Sequence, residues 1–177
     1  MSPIFILGYM ASGKTTLGRA LSRATGLEFI DLDFYIEQRF RKSIREIFAT
    51  EGEEAFRKKE TAMLKEAGEF EDVIISCGGG TPCFFDNMDY MNSRGTTIFL
   101  DTTRDCIVDR LMANNAARPL MAGKSETEIR QTVEEGLSAR LPHYTKAEIH
   151  FSGDRLENRS QIDSSVAEIK KILHYRF

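Results

Sequence analysis

Gly8-Tyr9-Met10-Ala11-Ser12-Gly13-Lys14-Thr15 satisfies every fixed position of the pattern G-x-x-x-x-G-K-[S/T]. The chemistry behind that pattern is phosphate capture. Glycine lets the chain turn so that successive N–H groups point inward at phosphate oxygens. A helix opening directly behind the loop adds the partial positive charge of its N-terminus. Lys14 is placed to reach the β- and γ-phosphates, and the Thr15 hydroxyl to ligate Mg²⁺. Ala11, Ser12, Gly13, Lys14, Thr15 and Thr16 are the expected nucleotide-binding residues. An ordinary glycine-rich turn is the competing account. The match at every position, between an apolar run and a helical pattern, disfavours it.

Other residues of chemical interest follow at wider spacing. Asp31 and Asp33 lie two apart at the end of an apolar run, so on a strand they face one side. Paired there, they suit a water-bridged Mg²⁺ contact and a substrate hydroxyl, although Asp33 alone could cap the next helix. Arg57 precedes Glu60 by three residues, a spacing that lets the carboxylate hold the guanidinium; a solvated helix face is the simpler account of the pair. Gly78-Gly79-Gly80 permits close backbone approach by a ligand, or is a flexible turn into Thr81-Pro82. The polar stretch 114–124 contains Arg118-Pro119-Leu120. An arginine there is placed to close over a transferring phosphoryl group, or the stretch is a plain connector. Arg140 ends a helical pattern, where a cation suits the helix dipole without any ligand. The three histidines form no ligand spacing, and the Met88/Met91 and Phe84/Phe85 groups read as packing.

The elements that must position these groups alternate regularly. Strands are expected at 3–7, 27–32, 73–77, 97–100 and 149–151. Helices are expected at 14–25, 33–40, 44–49, 51–70, 103–113, 125–141 and 160–175. This alternation argues for βαβ units and a mostly parallel sheet with helices on both faces. Ligands in such sheets bind at the carboxyl ends of the strands, where the loop, the two aspartates and the glycine triplet all fall.

A chain of 177 residues fits one domain. With 41% hydrophobic and 29% charged residues it has an ordinary globular balance. The net charge of −3 argues against nucleic acid as the main partner, but not against a small anionic ligand. The three cysteines are odd in number and lack CxxC or Cys/His spacing, which suits a reduced compartment. The start, MSPIFILG, reads as neither signal peptide nor membrane span. A cytosolic protein is expected.

Taken in order, GYMASGKT, DLD at 31–33, IREIFATEGEEAFRKKE at 44–60, CGGG at 77–80, RPL at 118–120 and Arg140 followed by Tyr144 resemble the shikimate kinase family. The likeness spans nearly the whole chain. The phosphate loop alone is shared widely; its combination with DLD, EEAFRKKE and CGGG is far more specific. The resemblance implies a three-layer P-loop NTPase fold with a five-stranded parallel sheet. It implies one domain over 1–177, with a mobile lid near 114–124 and substrate-binding helices near 33–60. It implies Mg²⁺-dependent transfer of the ATP γ-phosphate to the 3-hydroxyl of shikimate. Arg57 and Arg140 would bind the substrate carboxylate, Asp33 the ring hydroxyls, and Gly79, between Gly78 and Gly80, the substrate. Asp31 would help hold Mg²⁺, Arg118 would touch the nucleotide phosphates, and Arg155 is assigned the adenine contact. Lys14, Asp33 and Arg118 would be catalytic. The expected partners are ATP and shikimate, without nucleic acid or membrane, and the chain is taken as a monomer. Tyr9 and Ala11 depart from the Phe or Leu and the Gly usual in the family. Other readings are a P-loop kinase for gluconate or a nucleoside monophosphate, a GTPase-type switch, and a silent ATP-binding module. Thr145-Lys146-Ala147-Glu148 only approaches the guanine-reading motif of such a switch: no apolar strand precedes it and its acid is Glu, so it reads as a loop.

Overall fold

A computed structural model describes residues 1–113 and 123–174. Arg118 and most of the expected lid therefore lie outside the described residues.

The strands are β1 (Ile4–Leu7), β2 (Glu28–Asp31), β3 (Val73–Ser76), β4 (Thr96–Asp101) and β5 (Ile149–Ser152). They form one sheet in the order β2-β3-β1-β4-β5, and every pairing is parallel. The helices are α1 (Lys14–Thr25), α2 (Leu32–Phe40), α3 (Ile44–Ala67), α4 (Asn87–Arg94), α5 (Arg104–Ala113), α6 (Glu126–Tyr144) and α7 (Arg159–His174).

All four residues of β1 are buried, as a strand covered on both faces requires. Side chains alternate along it and feed two cores. Phe5 and Leu7 join Ile75 and Phe99 against Ile36, Leu64, Met91, Leu111 and Val133 of α2 to α6. Ile4 and Ile6 join Ile74, Ile98 and Leu100 against Leu17 and Leu21 of α1 and Ile169 and Leu173 of α7. Three layers result. β1 sits centrally between β3 and β4, so the strand order reverses beside it and a crevice opens at its carboxyl end.

Three boundaries and one unexpected helix, α4, differ from the sequence reading, each for a physical reason. The two expected helices at 44–49 and 51–70 are one element, α3, kinked at Gly52 where φ is 83° and ψ is 171°. Its start is fixed by a capping box between Ser43 and Glu46. Leu32 does not extend β2; it opens α2, because Asp31 caps that helix by accepting from the Phe34 N–H. Helix α4 has weak helix formers and no side-chain cap, and is held instead by burial of Met88 and Met91. Helix α6 continues through Pro142 to Tyr144, so Arg140 lies within it and does not end it. The proline falls in the last turn, and burial of Tyr144 against Phe99 holds that turn down. Among the described residues no helix is long and apolar enough to cross a membrane.

Candidate active site

A cleft of about 400 Å³ opens at the carboxyl end of β1. Its walls include Lys14, Thr15, Thr16, Asp31, Asp33, Gly78 and Gly79. The phosphate loop, the aspartate pair and the glycine triplet, separated by up to 70 residues of chain, thus share one cavity.

Helix α1 is preceded by Gly13 at its N-cap (φ 100°), which has no side chain to cap the first turn. Its orphan N–H groups remain for an anion. Gly8 has φ 147°, and a Cβ there would come within 2.8 Å of Ser12 Oγ and 2.9 Å of the Leu100 carbonyl. Ala11 holds the left-handed region at φ 60°, which costs a non-glycine residue about 1–2 kcal/mol. The loop therefore holds its bend without a glycine at position 11. Lys14 folds over it, Nζ donating to the Gly8 and Tyr9 carbonyls at 2.9 and 2.8 Å. The Thr15 hydroxyl donates to Asp31 Oδ2 at 3.2 Å. No cluster of three His, Cys, Asp or Glu suited to a metal occurs among the described residues. A hydroxyl beside a carboxylate instead fits Mg²⁺, which takes one or two protein oxygens and fills its shell with phosphates and waters.

The glycine triplet explains itself through what surrounds it. A Cβ on Gly78 would lie 2.9 Å from Asp33 Oδ1. On Gly79 it would lie 3.2 Å from Arg140 Nη1, and on Gly80 2.7 Å from Arg57 Nη1. Three successive glycines thus make room for three polar side chains from α2, α6 and α3. Sequence reasoning named all three, but left each with a bland account of its own. Their convergence on one triplet is what those accounts do not predict.

Glu60 organises the same corner from beneath. Its side chain is 1% exposed. It accepts from Arg57 Nη1 at 2.9 Å and from the Thr81 hydroxyl at 2.6 Å. Arg57 also reaches Glu53 at 3.3 Å, and its guanidinium carbon stands 4.1 Å from the centre of the Phe84 ring. The spacing of Arg57 and Glu60 signalled this pair in the sequence; the burial of Glu60 had no such signal. Removing one partner of a buried pair leaves the other uncompensated. Glu60→Ala is expected to lower stability by about 3 kcal/mol, measured by denaturant titration; a loss under about 0.5 kcal/mol, the scale of an exposed pair, would refute this role.

Asp33 reaches water at the cleft mouth yet is flanked by protein and by other carboxylates. Removal from bulk solvent is the main cause that pushes its pKa up to about 6; the charges of Asp31 and Glu60 add to the rise, and Lys14 opposes it. By contrast, Arg140 makes no ion pair among the described residues, and its guanidinium lies over the Tyr9 ring at 5.1 Å.

The nucleotide side of the cleft is built from residues that the sequence reading did not single out. Arg155 does not line the cleft; its Nη2 pairs with Glu168 of α7 at 3.4 Å on the exposed surface. The cleft is lined there by Arg110, Leu156 and Glu157. Arg110 donates from Nη1 to the Ala11 and Ser12 carbonyls at 3.2 and 3.1 Å, from Nη2 to the Gly153 carbonyl at 2.9 Å, and from Nε to Glu157 at 2.7 Å. It ties the phosphate loop to the segment after β5. Sequence reasoning missed it, because an arginine in the last turn of a helix, as in α5, is accounted for by the helix dipole alone. Thr145-Lys146-Ala147-Glu148 follows α6 directly, with no strand before it, which counts against a guanine-reading motif.

The sequence model of the shikimate kinase family matches residues 10–172. The chain belongs to the shikimate kinase family. It is 49% identical to the shikimate kinase of Bacteroides fragilis over 174 residues, 98% of this chain and 97% of that one. The crystal structure of the shikimate kinase from Bacteroides thetaiotaomicron superposes with a TM-score of 0.95 at 46% identity, covering 98% of each chain. A shikimate kinase from Acinetobacter baumannii, solved in complex with shikimate, gives 0.85 at 28% identity over 100% of this chain and 96% of that one. The five-stranded parallel sheet described above is the fold of these family members.

Proposed function

We propose that the chain transfers the γ-phosphoryl group of ATP to the 3-hydroxyl of shikimate, giving shikimate 3-phosphate and ADP, a step toward chorismate and the aromatic amino acids. The observation that carries this reading is the glycine triplet, which lodges one carboxylate and two guanidinium groups at the rim of a phosphate-binding cleft. Guanidinium forks suit a carboxylate acceptor, and an aspartate suits an attacking hydroxyl.

The proposed division of labour follows the geometry. The α1 N-terminus and Lys14 bind the phosphates. Thr15 and Asp31 would hold Mg²⁺, which when bound neutralises phosphate charge. Asp33 orients the 3-hydroxyl and takes its proton. Arg57 and Arg140 anchor the carboxylate at the other end of the substrate, so that the hydroxyl is presented to the phosphate. Arg110, Leu156 and Glu157 bound the nucleotide end of the cleft.

The test is release of ADP in a coupled assay with Mg²⁺ and ATP. Turnover that requires shikimate is the expected result. Turnover with gluconate or a nucleoside monophosphate in place of shikimate would overturn the acceptor and keep the kinase. Nucleotide binding without turnover on any acceptor would leave a silent module.

A further inference from the structure

Tyr144 takes no part in the chemistry proposed above, yet it is built into the acceptor site. It is the last residue of α6 and its side chain is fully buried. Its ring packs on Phe99 of β4, with centroids 5.2 Å apart. Its hydroxyl donates a short hydrogen bond to the Gly79 carbonyl. Arg140 lies one turn earlier on the same helix, and a Cβ on Gly79 would be 3.2 Å from its Nη1. The phenol oxygen therefore holds the carbonyl of a glycine that Arg140 packs against, across 65 residues of chain.

We propose that Tyr144 is a positioning residue for the acceptor, locking the Gly79–Gly80 peptide in one arrangement beside the Arg140 guanidinium. The peptide unit is planar, so pinning the Gly79 carbonyl also sets the direction of the Gly80 N–H. The triplet needs such a lock. Glycines carry more backbone freedom than any other residue, and three in succession would otherwise sample many arrangements. Arg140, which no carboxylate holds among the described residues, packs against the peptide so fixed. Packing on Phe99 gives the phenol a rigid base, because β4 pairs on both sides within the sheet. The Tyr144 side chain makes no hydrogen bond to the phosphate loop among the described residues; it reaches that loop only through Arg140, whose guanidinium lies over the Tyr9 ring. The effect should therefore fall mainly on the acceptor.

This inference rests on shikimate being the acceptor, and the experiment separates the two. Shikimate and ATP binding are measured by calorimetry on the wild-type protein and on Tyr144→Phe, with KM and kcat alongside. Loss of one neutral hydrogen bond that orders the glycine triplet predicts shikimate affinity reduced about five- to tenfold. KM for shikimate should rise to match, while KM for ATP and kcat stay within about twofold. A merely structural role would shift both substrates together or neither, and either pattern overturns the proposal. A wild-type protein that binds ATP but no shikimate overturns the acceptor and this inference together. Should the phenylalanine variant not fold, the wild-type protein gives a second readout: the ring carbon signal of labelled Tyr144 should move on adding shikimate and not on adding ADP. No movement with bound shikimate would equally refute the role.

Discussion

Alanine at position 80 is expected to raise KM for shikimate about a hundredfold while leaving KM for ATP within about threefold. The backbone does not resist the change: Gly80 has φ −91° and ψ −20°, a region open to any residue. Replacing glycine where the conformation is compatible commonly adds about 0.4–1 kcal/mol of stability through the unfolded chain. The conflict is entirely with Arg57. The new methyl would lie 2.7, 2.8 and 3.0 Å from Nη1, Nη2 and Cζ of its guanidinium. Glu60 and the Phe84 ring close off other positions for that group, so the fork is pushed off the place from which it would meet a carboxylate. A hydrogen bond to a charged group contributes about 1.5–3 kcal/mol, and a hundredfold change corresponds to about 2.8 kcal/mol. Steady-state kinetics with each substrate varied in turn decide the matter. A folded alanine variant with normal KM for shikimate would show that Arg57 is not an anchor.

The parts legible in the sequence were those whose physics is local. The phosphate loop needs glycine, lysine and threonine at fixed offsets, and a strand of four buried residues before it leaves little else to predict. The alternation of strands and helices gave the layers, because parallel strands need a helical crossover. The pairing of Arg57 with Glu60 could be read from a three-residue spacing. Other features depend on contacts far apart in the chain. Arg110 matters only because α5 passes the phosphate loop, 99 residues away from Ala11. Arg155 was assigned by position alone, and its contact with Glu168, 13 residues on in α7, has no local signal. Helix α4 is stabilised by what Met88 and Met91 bury, and its own residues barely favour a helix. The glycine triplet falls between these cases. Its position after β3 was visible; that each glycine faces a different polar side chain was not.

Asp33→Asn is expected to lower kcat by about 10²–10⁴, the range for losing a positioned general base, while making the metal-free protein more stable at neutral pH. The two effects have one origin. The charged form of Asp33 is disfavoured by its removal from bulk water and by Asp31 and Glu60, so its pKa in the folded protein is about 6, above the ordinary 3.8. A raised carboxylate pKa means the folded protein holds the proton more tightly than the unfolded chain. That contribution to stability is full below about pH 3.8 and is lost as the pH rises through about 6. At pH 7 the ionised aspartate is thus a cost that asparagine, which cannot ionise, does not carry. Because the group reaches water, the gain is expected to be about 1 kcal/mol and not the full value of a two-unit shift. Denaturant titrations of both proteins in EDTA, at pH 4 and pH 7.5, measure it. The variant should gain at pH 7.5 relative to pH 4. An equal difference at both values would mean that Asp33 is not held in a hostile site, and the argument that its raised proton affinity fits it for the acceptor hydroxyl would fall with it. A variant of undiminished kcat would remove Asp33 from the chemistry altogether, leaving the carboxylate as a helix-flanking residue of α2.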